Sequence, residues 1–188
     1  MGDRPVLPER VEADPLVLRE YDESDAPAVV EAVTANVEHL RPWMPWIVHE
    51  PRSVADRTAL IRFWHGERRA GTNAIYGIFL DDELIGGTGY HPRIGPGGLE
   101  IGYWLRRDHT GRGFATIATR ALTDHAFTIN GIDRVEIHHD AANPKSGAIP
   151  ARLGFRHLRD EEREPQAAAE TGVMRIWQVT REDWLPGE

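Results

Sequence analysis

Between Tyr103 and Thr116 the chain reads as an apolar strand, a short basic loop with glycines at 111 and 113, and then the start of a helix. That order gathers backbone N–H groups, the positive end of a helix dipole and the cations Arg106, Arg107 and Arg112 about one point. Such a point is an anion site, and a phosphate-bearing ligand is its natural occupant. A side chain in place of Gly111 or Gly113 would hold a phosphate away from the amides. A Gly-x-Gly by itself also occurs in ordinary turns, so the surrounding residues must decide. Three histidines, His91, His138 and His139, have ring pKa values suited to proton transfer near neutrality, and each equally suits a hydrogen-bonded structural place. The run His39 to Trp46, with Trp43, Met44 and Trp46 between prolines, makes a stiff aromatic wall for a peptide or an extended amine. Its other reading is a hydrophobic loop anchor.

These residues need a scaffold to position them. A strand is expected at Leu16 to Tyr21, then a helix capped by Ser24 that runs to about Asn36 with Pro27 in its first turn. Ser53 and Asp56 open a second helix that ends near Arg69, with Gly71 just beyond. Strands at Asn73 to Leu80 and Glu83 to Tyr90 flank a tight turn at Asp81-Asp82. The strand Leu99 to Leu105 feeds the glycine loop, and a third helix runs from about Gly113 to Asn130, stopped by Gly131. A strand at Val135 to His139, a fourth helix after Asn143, and strands near Arg156 and at Met174 to Thr180 follow. Asp160 to Gly172 reads as a mobile hairpin loop. The order is α/β (α+β): one mixed, largely antiparallel twisted sheet of six to seven strands with helices on both faces.

Composition bounds the function. With 188 residues, one domain is expected over 1–188, with 1–13 as a poorly ordered extension. No apolar run approaches the roughly 20 residues that span a bilayer, and the polar, Pro-rich start is unlike a signal peptide. The absence of cysteine excludes a disulfide framework, a thiolate metal site and a cysteine nucleophile. The cytoplasm is the default place, with no membrane partner. A net charge of −8 argues against general nucleic-acid binding and could steer basic substrates. The nine histidines show no spacing of a metal site, and none is expected.

Upstream of the glycine loop lies Glu100-Ile101-Gly102-Tyr103-Trp104-Leu105, and downstream lie Asn143-Pro144-Lys145-Ser146 and Arg152-Leu153-Gly154-Phe155. Together these resemble the GNAT family of acyl-CoA-dependent N-acyltransferases, with Thr110 to Ala115 in the place of its pyrophosphate loop. Leu16-Val17-Leu18-Arg19, the helix with Asp25-Ala26, and His39 to Trp46 are similar to the RimJ/RimL branch, which acetylates protein N-termini. The resemblance spans roughly residues 14 to 180.

The resemblance implies a GNAT fold, acetyl-CoA as cosubstrate, an amine acceptor and, as is common in the family, a possible homodimer. It implies cofactor contacts from Tyr103, Trp104, Leu105, Thr110, Gly111, Arg112, Gly113, Phe114, Ala115, Asn143 and Ser146. A backbone N–H such as that of Leu105 would polarise the thioester carbonyl. Glu100 takes the place of the general base, directly or through water, and is alternatively a structural carboxylate paired with an arginine. Ser146, three residues after Asn143, takes the place of the acid, or is an ordinary helix-start serine. Trp43, Met44, Trp46 and His91 are the expected acceptor contacts.

Two positions depart from the family pattern. Thr110 stands where glutamine or arginine is usual, which predicts weakened phosphate binding. Pro150 stands where a tyrosine acid is usual. It cannot donate to the Ser146 carbonyl, so the fourth helix is expected to be kinked or loosened there. The first reading is an N-acyltransferase using acetyl-CoA and a primary amine, either a protein N-terminus or a small molecule, with larger acyl groups such as succinyl open. The second is a non-catalytic acyl-CoA-binding domain on the same fold. Another kind of nucleotide-binding protein is disfavoured, since no Gly-Lys-Ser/Thr or Gly-x-Gly-x-x-Gly sequence is present.

Overall fold

The computed structural model describes residues 4–185. Eight strands form one sheet: β1 (Arg10–Ala13), β2 (Leu16–Glu20), β3 (Ala74–Leu80), β4 (Glu83–His91), β5 (Gly98–Leu105), β6 (Arg134–Asp140), β7 (Arg156–Glu162) and β8 (Val173–Thr180). Their order is β1-β2-β3-β4-β5-β6-β8-β7. Every neighbouring pair is antiparallel except β5 and β6.

The helices are α1 (Ala26–Ala35), α2 (Val37–Leu40), α3 (Val54–Arg69), α4 (Phe114–Ala126), α5 (Pro144–Leu153) and α6 (Arg181–Trp184). One face of the sheet packs on α4 through Leu18, Ile78, Ile101, Leu122 and Ile137. The other packs on α1 and α3 through Tyr21, Val33, Ile61 and Phe79. Each face therefore has its own apolar layer, as a sheet between two helical layers requires.

Local chemistry explains most boundaries. Asp81 and Asp82 both take positive φ (48° and 65°), the conformation of a two-residue turn whose twist matches its strands. The Ser53 hydroxyl accepts the Asp56 N–H at 3.1 Å and opens α3. Ser24 does not cap α1. It lies inside a 3₁₀ turn, Glu23–Asp25, closed by reciprocal Asp22 and Asp25 bonds. α4 ends at Ala126, short of Asn130, because the chain turns there to bury Phe127, Ile129 and Ile132.

Three expectations are corrected. The sheet has eight strands, not six or seven, because Arg10–Ala13 pairs with β2. Residues 4–13 are thus part of the fold, with Leu7, Val11 and Ala13 buried in the core; Met1 to Asp3 lie outside the described residues. The segment 160–172 is not a loose loop. β7 extends to Glu162, and Asp140 accepts the Thr171 and Gly172 N–H groups at 2.9 and 3.0 Å. The Arg163–Glu170 ion pair and an Ala169 N–H bond to the Pro42 carbonyl hold the remainder.

Candidate active site

The parallel ladder between β5 and β6 is short. It runs from Gly98↔Arg134 to Glu100↔Glu136 and then stops, so Ile101–Leu105 separates from Ile137–Asp140. On its other side β5 stays paired with β4 as far as Leu105. The Arg106 N–H donates to the Ile85 carbonyl across that pairing (2.8 Å), so strand alternation turns the N–H groups of Tyr103 and Leu105 toward the gap. The gap is therefore a slot with free backbone donors along one wall.

The glycine loop lies at one end of this slot. Gly111 and Gly113 have φ of 75° and 84°, values that glycine adopts without strain. The Ile117 N–H bonds the Gly113 carbonyl at 3.0 Å, which leaves the amides of Phe114, Ala115 and Thr116 ahead of the helical ladder. Arg112 stacks over the Phe114 ring at 4.8 Å. Arg106 is not free for an anion, because Asp108 (2.8 Å) and Glu83 (2.5 Å) hold it against β4. Arg152, at the end of α5, reaches the Thr116 hydroxyl at the helix entrance (3.1 Å). Thr110 is exposed and bonds back to the Arg107 carbonyl, so its side chain closes the turn.

The other end of the slot opens into a cavity of about 760 Å³. Its lining includes Trp43, Met44, Trp46, His91, Glu100, Tyr103, Trp104, Asn143 and Ser146, which the fold brings together from four separate parts of the chain. Leu105 and the run Thr110 to Ala115 lie outside this lining, toward the glycine loop.

α5 runs through Pro150 without a break. The Ser146 carbonyl, which Pro150 cannot serve, instead accepts the Tyr103 hydroxyl at 3.0 Å. The Ser146 hydroxyl in turn donates to Tyr103 Oη at 3.2 Å, and the Ser146 N–H caps back to Asn143 Oδ1 at 3.2 Å. Gly147 lets this helix approach β6, since a Cβ there would stand 2.6 Å from His139 Nε2. Burial pushes the Tyr103 phenol well above its ordinary pKa, so it stays protonated as a donor.

Glu100 is buried and doubly bonded by Arg93, Nε to Oε2 at 2.8 Å and Nη2 to Oε1 at 2.5 Å. His138 Nδ1 stands 3.5 Å from the same carboxylate, and its Nε2 is 2.7 Å from Glu136. Burial raises the pKa of Glu100, but Arg93 and His138 outweigh it and hold the group below the ordinary glutamate value.

His91 faces Glu100 across the β4–β5 register. Its Nδ1 lies 2.8 Å from Asn73 Oδ1, and Asn73 Nδ2 donates to Glu67 at 2.9 Å. The Glu67 bond fixes the amide's orientation, so Nδ1 carries the hydrogen and Nε2 is bare toward Gly102. Burial, then Arg93, lowers the His91 pKa to about 4. His139 is occupied on both nitrogens, by the Asp140 carbonyl (2.8 Å) and Trp177 Nε1 (3.0 Å), and is structural. Among the described residues no group of three His, Cys, Asp or Glu side chains could hold a metal ion, and no helix is long and apolar enough to cross a membrane.

His138, one of the three candidate histidines, lines the cavity too; so do Tyr21, Arg57, Trp64 and Arg93, which carried no local sequence signal. Arg93 is seven residues from Glu100, and only the hairpin register brings it there.

A model of the acetyltransferase (GNAT) domain matches residues 15–156. The chain is 29% identical to a putative ribosomal N-acetyltransferase, YdaF, of Bacillus subtilis, over 74% of this chain and 77% of that protein. It is 26% identical to the ribosomal protein uS5-alanine N-acetyltransferase of Escherichia coli, over 95% and 94% of the two chains. The structure of Mycobacterium smegmatis RimJ in complex with CoA-disulfide superposes with a TM-score of 0.85 at 26% identity, covering 99% of this chain and 93% of that one.

Proposed function

The chain belongs to the GNAT acetyltransferase family, and from that premise we propose that it moves an acetyl group from acetyl-CoA to the α-amine of a protein N-terminus, in the cytoplasm. Membership makes it an acyl-CoA-dependent N-acetyltransferase. The observation that carries the finer reading is the continuous path from the glycine loop, along the β5–β6 slot, into a cavity lined by Glu100, His91 and Ser146. The relatives named for ribosomal-protein N-acetylation support a protein amine.

The residues divide the work. The amides of Gly111 to Ala115, with Arg112, receive the pyrophosphate; Thr110 shapes the turn. Tyr103, Trp104, Leu105 and Asn143 line the route of the pantetheine arm. The thioester supplies an activated acyl group. The free N–H of Tyr103 or Leu105 meets its oxygen as charge develops there.

The amine enters between Trp43, Met44 and Trp46 and places its N–H groups on His91 Nε2 and Glu100. His91 Nε2 can only accept a hydrogen bond, so it aims the nitrogen. Glu100, kept ionised, takes the proton through a water. On acyl transfer the Ser146 hydroxyl turns its one hydrogen from Tyr103 Oη to the leaving sulfur, while the Tyr103 hydroxyl stays on the Ser146 carbonyl and keeps the helix start in place. Titration with acetyl-CoA, followed by addition of ribosomal-protein N-terminal peptides, tests this. Micromolar binding and thiol release are expected. Binding without release for any such peptide would overturn the acceptor assignment, and no binding would overturn the whole.

A further inference from the structure

We infer that the aromatic end of the cavity, over Gly87, is a subsite for a substrate carboxylate, received by Tyr21 Oη, Trp104 Nε1 and the Arg57 guanidinium. The inference rests on the transferase reading and specifies its substrate class.

Tyr21 follows β2 and is 3% exposed, yet its hydroxyl lines the cavity without bonding any protein group. Trp104 projects from β5 to the same place. A Cβ on Gly87 would stand 2.4 Å from Trp104 Nε1 and 3.0 Å from Tyr21 Oη, so the glycine lets the indole lie flat against the strand with its N–H beside the Tyr21 hydroxyl. A larger residue there would displace the indole.

The third donor is Arg57. Its side chain is 4% exposed and its Nη2 lies 2.5 Å from Glu50 Oε1, but its buried Nε has no hydrogen-bond partner. Arg57 lines the same cavity, so a guanidinium only partly satisfied by the protein stands at this end of it.

Charge decides what kind of partner. Glu50 is shared by two arginines, Arg57 at 2.5 Å and Arg52 at 3.7 Å, which leaves one positive charge at this end of the cavity. Nearby Arg19 is shared by the part-buried Asp25 at 2.7 Å and the exposed Asp22 at 3.5 Å, whose charge solvent screens. At the opposite end Arg93 and Glu100 form a neutral pair and His91 Nε2 is an acceptor. The cavity is therefore polarised, accepting N–H groups at one end and anions at the other. Its walls are aromatic: Trp64 lies 5.7 Å from Tyr21 and Trp46 6.0 Å from Trp104, between ring centroids. In such surroundings a charged hydrogen bond gains strength.

Two sources supply this chemistry: the side chain of an acidic first residue on the acceptor, or the far end of a dicarboxylic acyl chain. Calorimetry separates them without needing turnover. In one arm succinyl-CoA and butyryl-CoA are titrated into the free protein. In the other, peptides beginning with Glu or Gln are titrated into CoA-saturated protein. Tighter binding of the carboxylate member by tenfold or more is expected in one arm, and that arm names the source. Tyr21→Phe, which keeps the ring's packing, should abolish most of the preference and leave the neutral member within twofold. Equal affinities in both arms, or a preference untouched by Tyr21→Phe, would overturn the subsite. Failure of the transferase reading looks different, because no CoA thioester would bind at all. The Glu–Gln comparison is then made on the free protein, where equal affinity still overturns the subsite.

Discussion

The Tyr103 hydroxyl donates to the Ser146 carbonyl at 3.0 Å, taking the place of the backbone N–H that Pro150 lacks. A side chain from the strand thereby completes the helix that carries Ser146. Tyr103→Phe should cost about 1–2 kcal/mol of stability, the usual effect of leaving a part-buried carbonyl unsatisfied. Pro150→Ala restores the backbone donor, so it should recover stability in the Tyr103→Phe background and add less in the wild type. Urea unfolding of the four proteins in this cycle checks the coupling; strict additivity would show that the bond does not compensate for the proline.

Glu100→Gln should lower turnover by about 10²- to 10⁴-fold, the usual range for a proton acceptor, with the CoA dissociation constant unchanged. Steady-state kinetics and calorimetry on one preparation separate the two effects. Unchanged turnover would leave Glu100 as the structural partner of Arg93 alone.

Gly113 has φ of 84° and open space where a Cβ would stand. Gly113→Ala should therefore cost only backbone strain, about 1–2 kcal/mol, in the free protein. Against a bound pyrophosphate the methyl group also blocks the amides, so CoA affinity should fall tenfold or more. A loss of affinity no greater than that at an exposed α4 position would place the anion elsewhere.

Burial depresses the His91 pKa to about 4. The unfolded chain then binds the extra proton first, so the stabilisation is complete above roughly pH 6.5 and is lost as pH falls toward 4. Burial lowers the pKa of His39, His125 and His139 as well, so they too erode stability as the pH falls. The difference between wild type and His91→Gln isolates one of the four, at most on the order of 3 kcal/mol. Parallel stability curves for the two proteins from pH 7 to 4 would contradict a buried, neutral imidazole.

Legibility followed the reach of each interaction. Gly111 and Gly113 are local, since left-handed backbone and close approach to an anion both ask for glycine within one loop. The helix start at Ser53 and the turn at Asp81-Asp82 are local in the same way. Pro150 announced a missing donor, but nothing nearby could announce that Tyr103, forty-seven positions earlier, would serve the carbonyl. Arg93 meets Glu100 only through the β4–β5 register, and Tyr21 meets Trp104 only because β2, β3, β4 and β5 lie side by side. β1 escaped notice for a different reason: four residues are too few for an alternating pattern to stand out from a polar terminus.

The α-amine claim is tested most directly by pairing two peptides of one ribosomal-protein-like sequence, both with an internal lysine and only one with its N-terminus already acetylated. Thiol release from acetyl-CoA, with mass spectrometry locating the acetyl group, should proceed with the free N-terminus and stop with the blocked one. Equal release from both, with the acetyl group on lysine, would contradict the account.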